Sequence, residues 1–99
     1  MMKLFWTHEA DQDRDAIYDY IEIDNPAAAF DLDALFSEQA ALLIENPGMG
    51  RPGRMPGTRE LVAHRHYLLV YDTVGDLARI LRVMHTARQW PPQPQPPSA

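Results

Sequence analysis

The sequence predicts an α+β domain in the order β-α-α-β-β-β, with an N-terminal helical hairpin packed on a small, mostly antiparallel sheet. Three observations predict it. Two stretches of helical periodicity follow one another, with Asp24-Asn25-Pro26 marking the junction. A loop crowded with glycine and proline, Gly48 to Gly57, ends the helical texture. Beyond that loop the apolar period drops to two, as strands require.

Each element has a local reason. Lys3-Leu4-Phe5-Trp6-Thr7 is short, apolar and aromatic, and reads as an opening strand. Thr7 then caps a helix whose first turn carries Glu9 and Asp11 at its positive end. Ala10, Ile17, Ile21 and one or both of Tyr18 and Tyr20 supply its inward stripe, while Asp11, Asp15, Asp19 and Glu22 form an acidic ridge. Asn25 caps the second helix and Pro26 opens it. Its stripe is Ala29, Leu32, Phe36, Ala40 and Leu43, and so short a connection makes the helices antiparallel. Arg59 to His64 is a strand, Arg65-His66 a tight turn, and Tyr67 to Thr73 a second strand, apolar enough to be central. Val74-Gly75-Asp76 turns the chain into a third strand, Leu77 to His85. Residues 1–90 therefore read as a single domain, and residues 91–99, with five prolines, as a flexible proline-rich tail.

Composition narrows the function. There is no cysteine, which excludes thiol catalysis, disulfides and Cys-based zinc. No apolar run spans a bilayer and the N-terminus is too short for a signal peptide, so a cytoplasmic protein with no membrane partner is expected. The net charge of −5 is unevenly placed. Up to Pro47 two bases face eleven acids, a balance of −9; from Gly48 onward seven arginines face three acids, a balance of +4. One anion-attracting face is expected from this dipole, although a single lysine limits any grip on bulk nucleic acid.

The basic half holds the candidate chemistry. Arg59, His64, Arg65, His66, Tyr67, Arg82, His85, Arg88 and Trp90 offer phosphate binding, proton transfer and stacking. Arg82 and His85 have opposite parity on one strand and share a site only if that strand twists or bulges. His85 reads equally as a hydrogen-bonded histidine at the core margin, beside Val83 and Leu81. Arg51 and Arg54 lie on the Gly/Pro loop, either as a mobile basic flap or as incidental charges on a connector. His64-x-His66 has no third ligand at suggestive spacing, and no Gly-rich loop leads from a strand into a helix. No metal and no cofactor are therefore expected.

Six segments carry a resemblance: Asp15-x-Ile17-x-x-Tyr20-Ile21; Asn25-Pro26-x-Ala28-Ala29; Asn46-Pro47-x-x-Gly50-Arg51; Gly57-Thr58-Arg59-Glu60-Leu61-Val62; Tyr67-x-x-x-Tyr71; and His85-x-Ala87-Arg88-Gln89-Trp90-Pro91. Their order and spacing resemble a RelE/ParE-superfamily toxin, closer to the ParE branch, from about Leu4 to Pro91. The resemblance implies the toxin of a bacterial type II toxin–antitoxin pair, neutralised by a cognate antitoxin in a higher-order hetero-oligomer. A ParE-like member inhibits DNA gyrase and is not an enzyme. A RelE-like member acts at the ribosome and cuts mRNA without a metal, with Arg59, His85 and Arg88 as clamp, proton carrier and transition-state stabiliser. Arg88, Trp90, Arg82, Arg65, Tyr67, Arg51 and Arg54 are the expected target-binding set. The competing reading is a non-toxic interaction module. Trp6, Tyr18, Met49, Met55 and Trp90 are the apolar side chains expected at the surface.

Overall fold

The computed structural model describes residues 1–87. Its elements are β1 (Lys3–Trp6), α1 (His8–Glu22), α2 (Pro26–Glu45), β2 (Arg51–Pro52), β3 (Arg59–His64), β4 (Tyr67–Val74) and β5 (Leu77–His85). The expectations for residues 91–99, and for Arg88 and Trp90, lie outside the described residues.

Both helix starts follow from their caps. Thr7 Oγ1 accepts from the Ala10 N–H at 3.2 Å, and Asn25 Oδ1 accepts from the Ala28 N–H at 3.1 Å with Pro26 opening the helix. Arg14 of α1 bridges to α2, donating twice to the Asp33 carboxylate at 2.9 Å and once to Ser37 Oγ at 2.8 Å. Its guanidinium lies 4.4 Å above the Trp6 ring. That stacking corrects the expectation of a surface tryptophan: Trp6 and Tyr18 are half-buried, whereas Met49 and Met55 are exposed. Of the two tyrosines on α1, Tyr18 is half-buried and Tyr20 is exposed.

Among the described residues the sheet has five strands in the order β1-β5-β4-β3-β2, so β4 is central. β1 runs parallel to β5, and every other pairing is antiparallel. The fifth strand is β2, inside the segment read above as loop: Arg51 and Pro52 pair with Glu60 and Arg59 at the sheet edge, where proline's missing donor costs nothing. One face of the sheet carries the helices. Ala10, Phe36, Ala40 and Leu43 pack with Leu61, Ala63, Leu69, Tyr71, Ala78, Ile80 and Val83 in a single core. The other face carries a separate cluster, Leu68, Val70 and Met84.

Tyr71 ties the post-helical loop to that core. Its hydroxyl donates to the Pro47 carbonyl at 2.7 Å and accepts from the Gly50 N–H at 3.0 Å. A Cβ on Gly50 would meet the Tyr71 ring and hydroxyl at 2.7 Å, so this approach requires glycine. The loop then folds over buried Glu60, which accepts from Arg51 Nη2 at 3.3 Å and from the Arg54 N–H at 3.2 Å.

Candidate functional site

β1 and β5 differ in length, and the site comes from that difference. β1 ends where Trp6 faces Ile80, which leaves Leu81–His85 of β5 without a neighbouring strand on its outer side. α1 runs along this stretch instead. Thr7 Oγ1 donates to the Leu81 carbonyl at 3.0 Å. Asp13 Oδ2 accepts from the Val83 N–H at 3.0 Å and from Arg82 Nε at 2.7 Å, while Oδ1 accepts from Arg82 Nη2 at 3.0 Å. One carboxylate thus takes over part of the missing ladder and fixes an arginine in a bidentate grip. The hydrogen bond to Asp13 and its charge hold the Arg82 guanidinium above its ordinary pKa, so it stays a cation.

Arg82 and His85 do keep opposite faces, as parity requires. The register between β4 and β5 shifts where Val70 faces Arg82 and Tyr71 faces Ile80, which inserts one extra residue, Leu81, into β5. That bulge lets Ile80 and Val83, three residues apart, both enter the core. Leu81 becomes the half-buried bulge residue and does not share the inward face with Val83 as expected. Arg82 starts on the opposite face and reaches round the open edge to Asp13.

Beyond Asp13 the helix and strand diverge into a cleft of about 470 Å³ lined by Asp13, Ala16, Ile17, Tyr20, Tyr67, Val83, His85 and Ala87. Its mouth is aromatic. The His85 ring meets Tyr67 edge-on at 5.2 Å and lies parallel to His66 at 5.7 Å, while His64 is 5.6 Å from His66. His85 Nδ1 accepts from the Ala87 N–H at 3.1 Å and His64 Nδ1 from the His66 N–H at 3.2 Å. Each ring is therefore oriented through one nitrogen, with Nε2 as the second polar atom. Loss of hydration against its neighbours, then the charges of Arg65, His64 and His85, push the His66 pKa below its ordinary value. The described residues contain no group of three His, Cys, Asp or Glu side chains able to hold a metal ion.

The remaining predicted residues are dispersed. Arg59 sits on β3, with β4 between it and β5, and donates to the Gly50 carbonyl at 2.8 Å. It faces Tyr71, whereas His85 faces Tyr67, four residues away on the same strand. That spacing is roughly 13 Å along β4, with two inter-strand steps of about 5 Å across the sheet. Arg51 is engaged by Glu60, and Arg79, not singled out above, by Asp72 at 2.6 Å. The hydrogen bond and charge of Asp72 raise the Arg79 pKa. Arg65 is exposed on the β3–β4 turn, and Arg54 is exposed on the loop, where its backbone N–H holds Glu60. Of the six arginines described in the basic half, three, Arg51, Arg79 and Arg82, are thus paired with carboxylates, which weakens the one anion-attracting face expected from the charge count.

A family model described as the ParE toxin of the type II toxin–antitoxin system parDE matches residues 4–90. The chain belongs to the ParE toxin family. It is similar to the putative toxin Y4kP of Sinorhizobium fredii, 42% identical over 90 residues that cover 90% of this chain and 93% of that one. It is also similar to toxin RelE2 of Caulobacter vibrioides, 35% identical over 88 residues, covering 89% and 99%. Among solved structures it resembles a chain of the chromosomal ParDE system from P. aeruginosa, with a TM-score of 0.78, 35% identity, and coverage of 86% and 96%. As a ParE-family toxin of a type II system, the chain has a cognate antitoxin as its implied partner. No helix among the described residues is long and apolar enough to cross a membrane.

The residue that sequence reasoning missed in this ParE-family site is Asp13. It lies among eleven acids in the first 47 residues, and only its spacing sets it apart. It stands four residues before Ile17 and seven before Tyr20, on the flank that turns towards β5.

Proposed function

We propose that this ParE-family chain arrests bacterial growth by inhibiting DNA gyrase and that its cognate antitoxin silences it in a higher-order complex. The observation that carries this reading is the match of a ParE toxin model to residues 4–90. The dispersal of Arg59 and His85 supports it, because metal-free RNA cleavage needs a phosphate clamp and a proton carrier within reach of one phosphate. So does the acidic N-terminal half, since approach to a polyanionic ribosome favours a basic surface. Arg88 is the residue expected to engage the target, because it matches the arginine of the closing His-x-Ala-Arg pattern.

One observation favours ribosome-dependent mRNA cleavage instead. The Caulobacter relative is called toxin RelE2, and in this chain His85, Tyr67 and His66 meet at the mouth of a cleft. The test is direct. The chain is induced without antitoxin, and arrested cells are scored by primer extension for A-site mRNA cuts. The purified chain is assayed for inhibition of supercoiling and for trapped gyrase cleavage complexes. The gyrase reading expects trapped complexes, intact mRNA, and a His85→Ala variant that arrests growth while folded. The nuclease reading expects A-site cuts and a loss of about 100-fold or more in cleavage for that variant. A folded Arg88→Ala variant that kills as well as the parent would move the target-binding surface away from the end of β5.

A further inference from the structure

Three of the chain's four histidines stand together at one end of the sheet, and the register of three strands puts them there. Tyr67 opens β4 with His64 of β3 facing it on one side and His85 of β5 on the other. His66 lies in the β3–β4 turn, its ring 5.6 Å from that of His64 and 5.7 Å from that of His85. The backbone holds the turn in this place: the Thr86 N–H donates to the His66 carbonyl at 2.8 Å, which ties the turn to the end of β5. Tyr67 meets Phe36 of the core edge-on at 5.6 Å, so the imidazoles rest against a fixed ring. Arg65, exposed on the same turn, adds a guanidinium. Among the described residues no carboxylate pairs with Arg65 or with any of the three imidazoles. Asp13, which lines the adjoining cleft, is already taken by Arg82 and the Val83 N–H.

We propose that His64, Arg65, His66 and His85 form a binding site for a phosphate group. The hydrogen bonds fix what the rings present. Nδ1 of His64 and of His85 each accepts a backbone N–H, so in the neutral ring the proton sits on Nε2. Both rings therefore offer a donor at neutral pH without carrying a charge. The His66 side chain makes no hydrogen bond within the described chain, which leaves its ring nitrogens for a ligand. Donors thus arrive from β3, from the turn and from β5. A tetrahedral phosphate has oxygens facing several directions to receive them, whereas a carboxylate receives in one plane. The groups around His66 are His64 of β3, Arg65 of its own turn and His85 of β5, with Tyr67 of β4 behind His85. Loss of hydration, then the like charges of these neighbours, keep His66 below its ordinary pKa. An anion beside it opposes the second of these causes, so His66 takes up a proton as phosphate binds. Inorganic phosphate and the phosphodiester of a polynucleotide share this chemistry. The inference rests on the geometry of the cluster and stands whether the target is gyrase or the ribosome.

The test is a titration of the full-length chain carrying isotope-labelled histidine, followed by the ring Cε1–H resonances, with His8 of α1 as the internal control. Inorganic phosphate is expected to shift His64, His66 and His85 saturably, to leave His8 unmoved and to raise the pH at which His66 titrates. Short DNA and RNA oligonucleotides without terminal phosphates are the second probe, because a diester keeps its charge across this range. Their affinity is expected to rise as pH falls from neutrality, by up to about tenfold per pH unit for one coupled proton. Tighter binding of the oligonucleotides than of inorganic phosphate, at the same three rings, assigns the site to a nucleic-acid backbone; the reverse order assigns it to free phosphate. Arg65→Gln should weaken phosphate binding several-fold at every pH. His66→Gln keeps a donor and should lose only the pH dependence; both side chains are exposed on the turn, and its backbone bonds remain. Any of three results would overturn the proposal. The first is a set of shifts that His8 shares or that never saturate, which would reflect ionic strength alone. The second is acetate or an acidic peptide moving the three rings as tightly as phosphate does, which would make a carboxylate the ligand. The third is undiminished phosphate binding by a folded variant carrying both Arg65→Gln and His66→Gln.

Discussion

The two halves of β5 are held in different ways. From Leu77 to Ile80 its outer side is paired residue by residue with β1. From Leu81 to His85 the same side is held by side chains from the start of α1, one threonine hydroxyl and one carboxylate. A backbone ladder is indifferent to sequence and to pH, whereas a side-chain clasp depends on particular residues and can be released without unfolding the sheet. The cleft lies next to the clasped half. In this ParE-family fold the adjustable part of the last strand is thus the part that carries His85.

Breaking the clasp should have the largest effect. Asp13→Ala strands the Arg82 guanidinium and the Val83 N–H together and should cost about 2–3 kcal/mol, read by thermal or denaturant unfolding. Amide exchange should accelerate from Leu81 to His85 and stay unchanged from Leu77 to Ile80. Equal acceleration in both halves would erase the distinction between them. Asp13→Asn keeps an acceptor for one of the two donors, and its loss should fall to about 1–1.5 kcal/mol. Thr7→Val removes both the helix cap and the bond to Leu81, for about 1 kcal/mol. On the ladder-paired half, Asp72→Ala breaks the partly exposed pair with Arg79 and should cost no more than about 0.5–1 kcal/mol, least of the four.

The smallest effect sharpens the comparison through pH. In the fold His66 binds a proton less readily than at its ordinary pKa of 6.5. The unfolded chain therefore binds more protons just below that value, and stability should fall as pH drops through it. The groups facing His66 are His64, Arg65, His85 and, through His85, Tyr67. His66→Asn should flatten the slope of stability against pH between neutrality and the lowered pKa, which equilibrium unfolding at stepped pH will show.

How much of this was readable beforehand depends on how local each cause is. The caps at Thr7 and Asn25-Pro26, the helical stripes and the central apolar strand are decided within a few residues, and each stands where the pattern puts it. β2 is two residues long and one is proline, so it has no period to read. The bulge at Leu81 shows only in the register against β4. Asp13 acquires its partners 69 and 70 residues later in the chain, and no window of sequence contains that relation. Of the predicted site, Tyr67 and His85 meet at the cleft and Arg82 joins it through Asp13, while Arg59 stays across the sheet because Gly50 and β2 fix it there.

The parallel pairing of β1 with β5 also sets an order in time. Lys3 meets Leu77 and Trp6 meets Ile80, so among the described strands the first to be synthesised needs the last as its partner. At translation rates of about 5–20 residues per second, the ~74 residues between them occupy roughly 4–15 s. Throughout that interval Leu4 and Trp6 have no strand to lie against, and neither the Asp13 clasp nor the cleft exists. In this ParE-family fold the clasp and the cleft therefore form only once Val83 and His85 have been made.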